Sequence, residues 1–354
     1  MGLWSVQSSH WQRLAEEQAI YRYQPGRPSA AVPARMPVLF LQTPPLKAGS
    51  SLAEMYLEDG FTALYAYPVQ GTDTEAALGL ADAVEWLMTT QHPQWPRLVM
   101  VGCVAGGVLG RRYLMLSGYE RVAYLFTMGS SHRYSPLAYL RGTIFEPRDG
   151  FDEPPPVAAP ALDDTVMLNI YSEGLGAGAA QAEHGVHLPE AINIGLPLGP
   201  EALCRDVLTY RAMRRHLQGQ FWLVTVRLKS LVMQGAQEQE RTGSFCFEVN
   251  GRRAPFDGAF RAPVGVPYEF DPARTLLGTV TFPLTEMGRA VDIDFRLKDL
   301  SPVSGRRRKL STSLHTPLRD DLVSEHVLQD SLGSEVGIQV CCQRPRSVLE
   351  ADHD

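Results

Sequence analysis

The stretch Arg97 to Leu114, RLVMVGCVAGGVLGRRYL, comes closest to a reaction centre in residue type and spacing. An apolar strand pattern ends at Val101, small residues follow, and a helical pattern begins within three positions. Gly102 and Gly106 bracket position 104 in the layout of a nucleophile elbow, G-x-S-x-G. That motif is a sharp strand-to-helix turn that exposes its central side chain for attack on a carbonyl. Here the centre is Val104. Valine has no lone pair, and its branched Cβ suits a tip of positive φ poorly. The spacing therefore points to acyl-transfer architecture without its nucleophile.

Other reactive side chains are scattered. Cys103 adjoins the tip, but a thiol buried between Val101 and Val104 has a raised pKa and stays unreactive, and no histidine is placed to deprotonate it. Ser130 and Ser131 end a strand pattern with no evident base. His132 reads as a histidine satisfying backbone groups, and Glu173 as a loop carboxylate. His184 and His187, three apart, fit one helix face, yet no third ligand stands near, so no metal is expected. Arg306, Arg307, Arg308 and Lys309 read as a solvated loop, with anionic headgroups or an acidic partner as the functional alternative. The Gly- and Ala-rich region from Ser172 to Gly185 lacks the strand-then-helix setting of a phosphate site, so no nucleotide cofactor is expected.

The elements that must position these residues alternate strand and helix. Strand patterns run over 37–42, 61–69, 97–102, 122–129, 166–172 and 192–197; helical patterns run over 72–90, 105–116 and 204–217. Near-continuous Val/Leu/Ile strands in that alternation predict a mostly parallel sheet with helices on both faces. Beyond Leu217 the period changes to alternation at 221–228, 244–250, 275–284, 291–297 and 335–342, which predicts an antiparallel β-sandwich. The expected division is an N-terminal extension over 1–35, an α/β domain over 36–218, a β-sandwich over 219–345 and a tail over 346–354. In the extension Trp4, Trp11, Leu14, Ala15 and Ile20 recur at roughly helical spacing, predicting a short helix. The segment 153–161, EPPPVAAPA, reads as a stiff loop.

The span from Met36 to Leu217 resembles the α/β-hydrolases, especially the bacterial triacylglycerol lipases and esterases. The elbow carries part of the likeness. TMGSSHRYSPLAYL (127–140) carries another part, resembling the group's Gly-Thr-Pro-His-x-Gly-Ser-Pro stretch through Gly129, His132, Ser135 and Pro136, and departing from it at Ser130, Ser131 and Tyr134. The resemblance implies the fold, and it allows the chemical positions to be checked singly. The family's first strand ends in His-Gly, which supplies an oxyanion-hole amide; Gln42 and Thr43 stand here, before Pro44 and Pro45, and proline offers no N–H. Val104 replaces the serine. Leu175 matches the acid, with Glu173 as a shifted substitute, and GLPLGPEAL (195–203) holds no histidine where the family has one; His184 and His187 precede the last strand. In resembling elbows the Cys103 position faces away from the reaction, and the His132 position shapes the neighbouring loop. A triad acts only when all its parts are in mutual hydrogen-bond geometry.

Of the 354 residues, 44% are hydrophobic and 20% charged, as in ordinary globular proteins, and 39 acidic against 33 basic residues give a net charge of −6. That balance argues against nucleic acid as a partner. Gly102, Gly106 and Gly107 break the longest apolar run, so no transmembrane segment is expected, and MGLWSVQSSHW has no signal-peptide pattern. Five cysteines without CxxC spacing fit a reducing compartment, with the cytoplasm as the expected location. The favoured expectation is a catalytically inactive lipase-like protein that binds. It would hold a lipid or acyl ligand near Gln42, Thr43, Val104, Ala105 and His132, or pair with a protein partner such as an active homologue in a hetero-oligomer. The sandwich resembles C2-like and lipase-accessory modules in strand pattern. The alternative is a working ester or lipid hydrolase that uses Cys103 or Ser130 with His132 and Glu173.

Overall fold

Runs in which nearly every residue is apolar form strands buried on both faces. The computed structural model describes residues 11–15, 19–24, 35–43, 49–117, 120–130, 165–173, 188, 191–232, 240–250, 252–253, 259–263, 267–270, 276–286, 289–299, 309–329 and 333–345. Two compact units meet in the chain at Gly219 and Gln220.

The first unit holds an eight-stranded sheet. Its strands are β1 (Trp11–Ala15), β2 (Ile20–Tyr23), β3 (Val38–Gln42), β4 (Leu64–Pro68), β5 (Leu98–Cys103), β6 (Val122–Met128), β7 (Val166–Ser172) and β8 (Ile192–Leu196), in the order β1-β2-β4-β3-β5-β6-β7-β8. From β4 across to β8 all neighbours are parallel, while β1 and β2 are antiparallel additions beside β4. The helices are α1 (Gly49–Glu58), α2 (Thr74–Trp86), α3 (Ala105–Ser117), α4 (Pro200–Leu203) and α5 (Val207–Leu217). Asp73 caps α2 by accepting from the Ala76 amide at 2.8 Å, and Asp206 caps α5 by accepting from Leu208. The core beside β3 and β5 joins Leu39, Leu41 and Met100 to Leu80 and Val84 of α2 and to Leu109 and Tyr113 of α3.

One sequence expectation is overturned here. Trp11–Ala15 and Ile20–Tyr23 form an antiparallel hairpin, not a helix. Trp11, Ile20 and Tyr23 are buried while Gln12 and Arg22 are exposed, and Trp11 meets the rings of Tyr23 and Phe40 edge-on. Burying these side chains against the sheet outweighs a helical spacing that is weak over so few residues. Trp4, the segment 153–161 and the tail 346–354 lie outside the described residues.

The second unit is antiparallel throughout. Its strands are β9 (Phe221–Val232), β10 (Glu240–Val249), β11 (Arg252–Arg253), β12 (Ala259–Pro263), β13 (Tyr268–Glu269), β14 (Leu276–Pro283), β15 (Ala290–Asp299), β16 (Lys309–Pro317), β17 (Leu322–Gln329) and β18 (Glu335–Gln343). One sheet runs β11-β10-β15-β16 with β12 on β10, the other β13-β9-β18-β17 with β14 on β9. Along β15, Val291, Ile293, Phe295 and Leu297 point inward while Asp292, Asp294 and Arg296 are exposed. Together with Phe247 and Leu314 these inward residues meet Trp222, Val224, Val226, Ile338 and Val340 of the other sheet in one core, as in a β-sandwich. Among the described residues no helix is long and apolar enough to cross a membrane.

Candidate functional site

The C-terminal edge of the first sheet, where β5 turns into α3, contains the candidate site. Leu41 of β3 pairs with Gly102, and Met128 of β6 pairs with Cys103, so the turn is gripped from both sides. At the tip Val104 has φ 50°, in the left-handed region. Its amide donates to Met128 O at 2.9 Å, and its carbonyl accepts from Gly107 at 3.2 Å. A β-branched residue held there costs on the order of 1–3 kcal/mol, and it persists because the surroundings over-determine the turn.

Two close approaches supply that over-determination. A Cβ on Gly106 would lie 2.0 Å from the Leu41 carbonyl oxygen, and one on Gly102 would lie 2.5 Å from the Gly107 nitrogen. Only glycine lets α3 sit this close to β3 and fold back onto its own strand. The turn of a nucleophile elbow is therefore present, and the Val104 side chain is 43% exposed at its tip.

Of the other candidates among the described residues, Ser130 lies against the turn: a Cβ on Gly107 would lie 2.1 Å from its Oγ. Cys103 is buried, and the Cys204 thiol and burial push its pKa well up. Ser130 is buried and its hydroxyl donates to Met128 O at 3.4 Å. Gln42 is buried at the end of β3 with its carbonyl accepting from Val69 at 3.0 Å, and Thr43 beyond it is exposed. Ala105 opens α3, half-buried. Glu173 is exposed, and its carboxyl folds over β8, where a Cβ on Gly195 would stand 3.0 Å from Glu173 Cδ. β6 separates β7 from β5, so Glu173 follows a strand roughly 10 Å from the elbow's strand. Ser131, His132, Leu175, His184, His187 and Arg306 to Arg308 lie outside the described residues. Among the described residues no three His, Cys, Asp or Glu side chains are grouped to hold a metal ion.

Sequence reasoning missed two polar groupings. Thr127 donates to Asn169 at 3.0 Å, and Asn169 donates to Asn193 at 2.9 Å. Asn193 in turn donates to the carbonyls of Leu188 at 2.6 Å and Ala191 at 2.8 Å, holding the entry to β8. Two asparagines inside apolar strand runs were the available signal, since strands disfavour them. Asp59 after α1 accepts from the Tyr210 hydroxyl and pairs with Arg214 Nε at 2.8 Å, clasping α5.

No family model matches this chain, and no curated protein matches it in sequence. Among solved structures, the lipase BlEst2 of Bacillus licheniformis is 17% identical, with 55% of this chain and 96% of that one covered and a TM-score of 0.41. The carboxylesterase CesB of Bacillus subtilis is 12% identical over 56% of this chain and 87% of its own, with a TM-score of 0.37. A mutant of potato epoxide hydrolase is 10% identical over 59% and 98%, with a TM-score of 0.40. Within this chain itself, the strand order and the elbow after β5 make an α/β-hydrolase-like fold.

Proposed function

We propose that this chain is a catalytically inactive, lipase-like protein whose α/β unit binds rather than cleaves. The observation that carries the reading is Val104: the elbow turn is intact at φ 50° and presents its tip to solvent, but the tip is a hydrocarbon. The same exposed, apolar tip suits a hydrophobic ligand such as an acyl chain or lipid. A protein partner, including an active homologue in a hetero-oligomer, is the companion form of this proposal, with the β-sandwich as its docking module. Free thiols at Cys103, Cys204, Cys341 and Cys342 suit a reducing, cytoplasmic setting.

Treatment of the folded protein with a serine- and cysteine-directed acylating probe tests the reading. No adduct is expected. An adduct at Cys103 or Ser130 would instead establish the hydrolase with a displaced nucleophile. Native mass spectrometry of the purified protein then separates ligand binding, seen as a co-purified apolar mass, from a purely protein-docking role.

A further inference from the structure

The strand β17 ends its sheet, and its residues from Leu322 to Gln329 pair with β18 in unbroken register. Among the described residues no strand pairs with its other edge, where a row of backbone N–H and C=O groups has no ladder. Sheet edges are ordinarily guarded by lysine, proline, a bulge or sheer shortness. The edge of the opposite sheet, β16, opens on Lys309 and closes on Pro317, and β13 is two residues long. β17 carries none of these guards. On its outer face Val323 and Val327 are 56% and 70% exposed. Val327 stands opposite Gly337 of β18, a residue with no side chain to cover its methyl groups. The sequence of the strand is close to a palindrome: Leu322-Val323-Ser324-Glu325-His326-Val327-Leu328 reads alike from either end except at Ser324 and His326.

We propose that β17 pairs antiparallel with β17 of a second copy about a two-fold axis at Glu325, joining the two sheets edge to edge in a dimer. An antiparallel strand that reads alike in both directions is its own complement. In this register Val323 faces Val327 of the other copy, twice, so each Val327 gains the apolar neighbour that Gly337 does not supply. Leu322 faces Leu328, also twice, on the side that packs against the sandwich core. Ser324 falls opposite His326, a pairing of hydroxyl and imidazole that already forms within one strand at 3.2 Å. The two Glu325 side chains meet at the axis. Lys229 Nζ lies 2.6 Å from the Glu325 carboxylate in each copy, so the row across the axis sets two cations against two anions. A slip of two residues in either direction would put Glu325 against Val323 or Val327, which fixes the register. Self-pairing uses up the edge, so the assembly closes at two copies. A ladder of seven residues is short, and a dissociation constant on the order of 10 μM is expected. The inference stands independently of whether the elbow binds or cleaves.

Sedimentation velocity of the full chain over a concentration series spanning that value is the first test, with a shift from monomer to dimer expected. Val327→Lys, at a position exposed in the single chain, should raise the dissociation constant at least about tenfold by setting an unpaired cation against a valine. Glu325→Cys then tests the register. Two thiols facing each other at the axis have Cα atoms about 5 Å apart, within disulfide reach, so mild oxidation should link the copies. Gln329→Cys, roughly 27 Å from its counterpart along the paired strands, should give no link. Wild type oxidised in parallel reports any link through the native cysteines. A monomer throughout the series would overturn the proposal and leave this edge to a strand of an unlike protein. A dimer untouched by Val327→Lys would overturn it by placing the interface elsewhere, and so would a dimer that Glu325→Cys does not link. Should Val327→Lys fail to fold by circular dichroism, Val323→Lys replaces it.

Discussion

The elbow after β5 and the segment after β8 sit on one edge of one sheet, yet different forces shape them. At the elbow the backbone is dictated by contact: strands on both sides and glycines at Gly102 and Gly106 leave no other path for α3. After β8 the chain is held by side chains, with Asn193 fixing Leu188 and Ala191, and Asp59 clasping α5 through Tyr210 and Arg214. The difference teaches that close packing fixes the turn whatever side chain stands at its tip. Nothing in the fold requires a hydroxyl at position 104 or a histidine near position 200.

The comparison breaks first at its most rigid point. Gly106→Ala places a Cβ against a backbone oxygen at 2.0 Å and should cost ~3 kcal/mol or more in chemical denaturation. Gly71→Ala, whose nearest neighbour is 3.7 Å away, is the matched control and should change little. Equal effects of the two substitutions would remove the argument that contact shapes the elbow.

The region after β8 answers to pH. Burial holds His216 of α5 down to about 4 from its ordinary 6.5, and its Nδ1–H donates to Ala212 O at 2.7 Å. The unfolded chain therefore takes a proton before the folded one as pH falls. Stability from this group is complete above pH 6.5, falls between 6.5 and 4, and is flat below; the loss is at most on the order of 3 kcal/mol. Denaturation midpoints should show that slope in wild type, and His216→Gln should flatten it.

The tip itself sharpens the contrast by a smaller amount. Val104→Gly should raise stability by about 1 kcal/mol, because glycine adopts a φ of 50° without steric cost and the relief exceeds its added chain entropy. A loss of stability on that substitution would mean that Val104 packs usefully where it stands.

Much of this architecture is legible from the residues. The parallel strands announce themselves as apolar runs: VMLNIYS is β7 from Val166 to Ser172, and the run ending at Gly102 is β5 with Cys103 added. What failed had identifiable causes. α1 went unread because GSSLAEMYLE opens on turn-forming residues without a capping pattern, although Leu52, Ala53 and Tyr56 bury one face. β16 and β17 went unread because they are short of apolar side chains facing the core; on β17, Val323 and Val327 point outward while Ser324 and His326 point the other way. At the site, the glycine spacing and the missing serine were readable, and so was the poor match of valine to positive φ. That the turn keeps the strained angle was not readable, because Leu41, which forbids relaxation, lies far away in sequence.

The central claim is that an intact elbow here carries no hydrolytic chemistry. Hydrolysis of a chain-length series of activated esters by purified wild type, Val104→Ser and Cys103→Ala tests it most directly. The account predicts that all three match the buffer blank, because Gln42, Thr43, Leu175 and the histidine-free stretch 195–203 stand where the resemblance would require an oxyanion amide, an acid and a base. Turnover by wild type that disappears in Cys103→Ala would contradict it and make this protein a cysteine-dependent hydrolase.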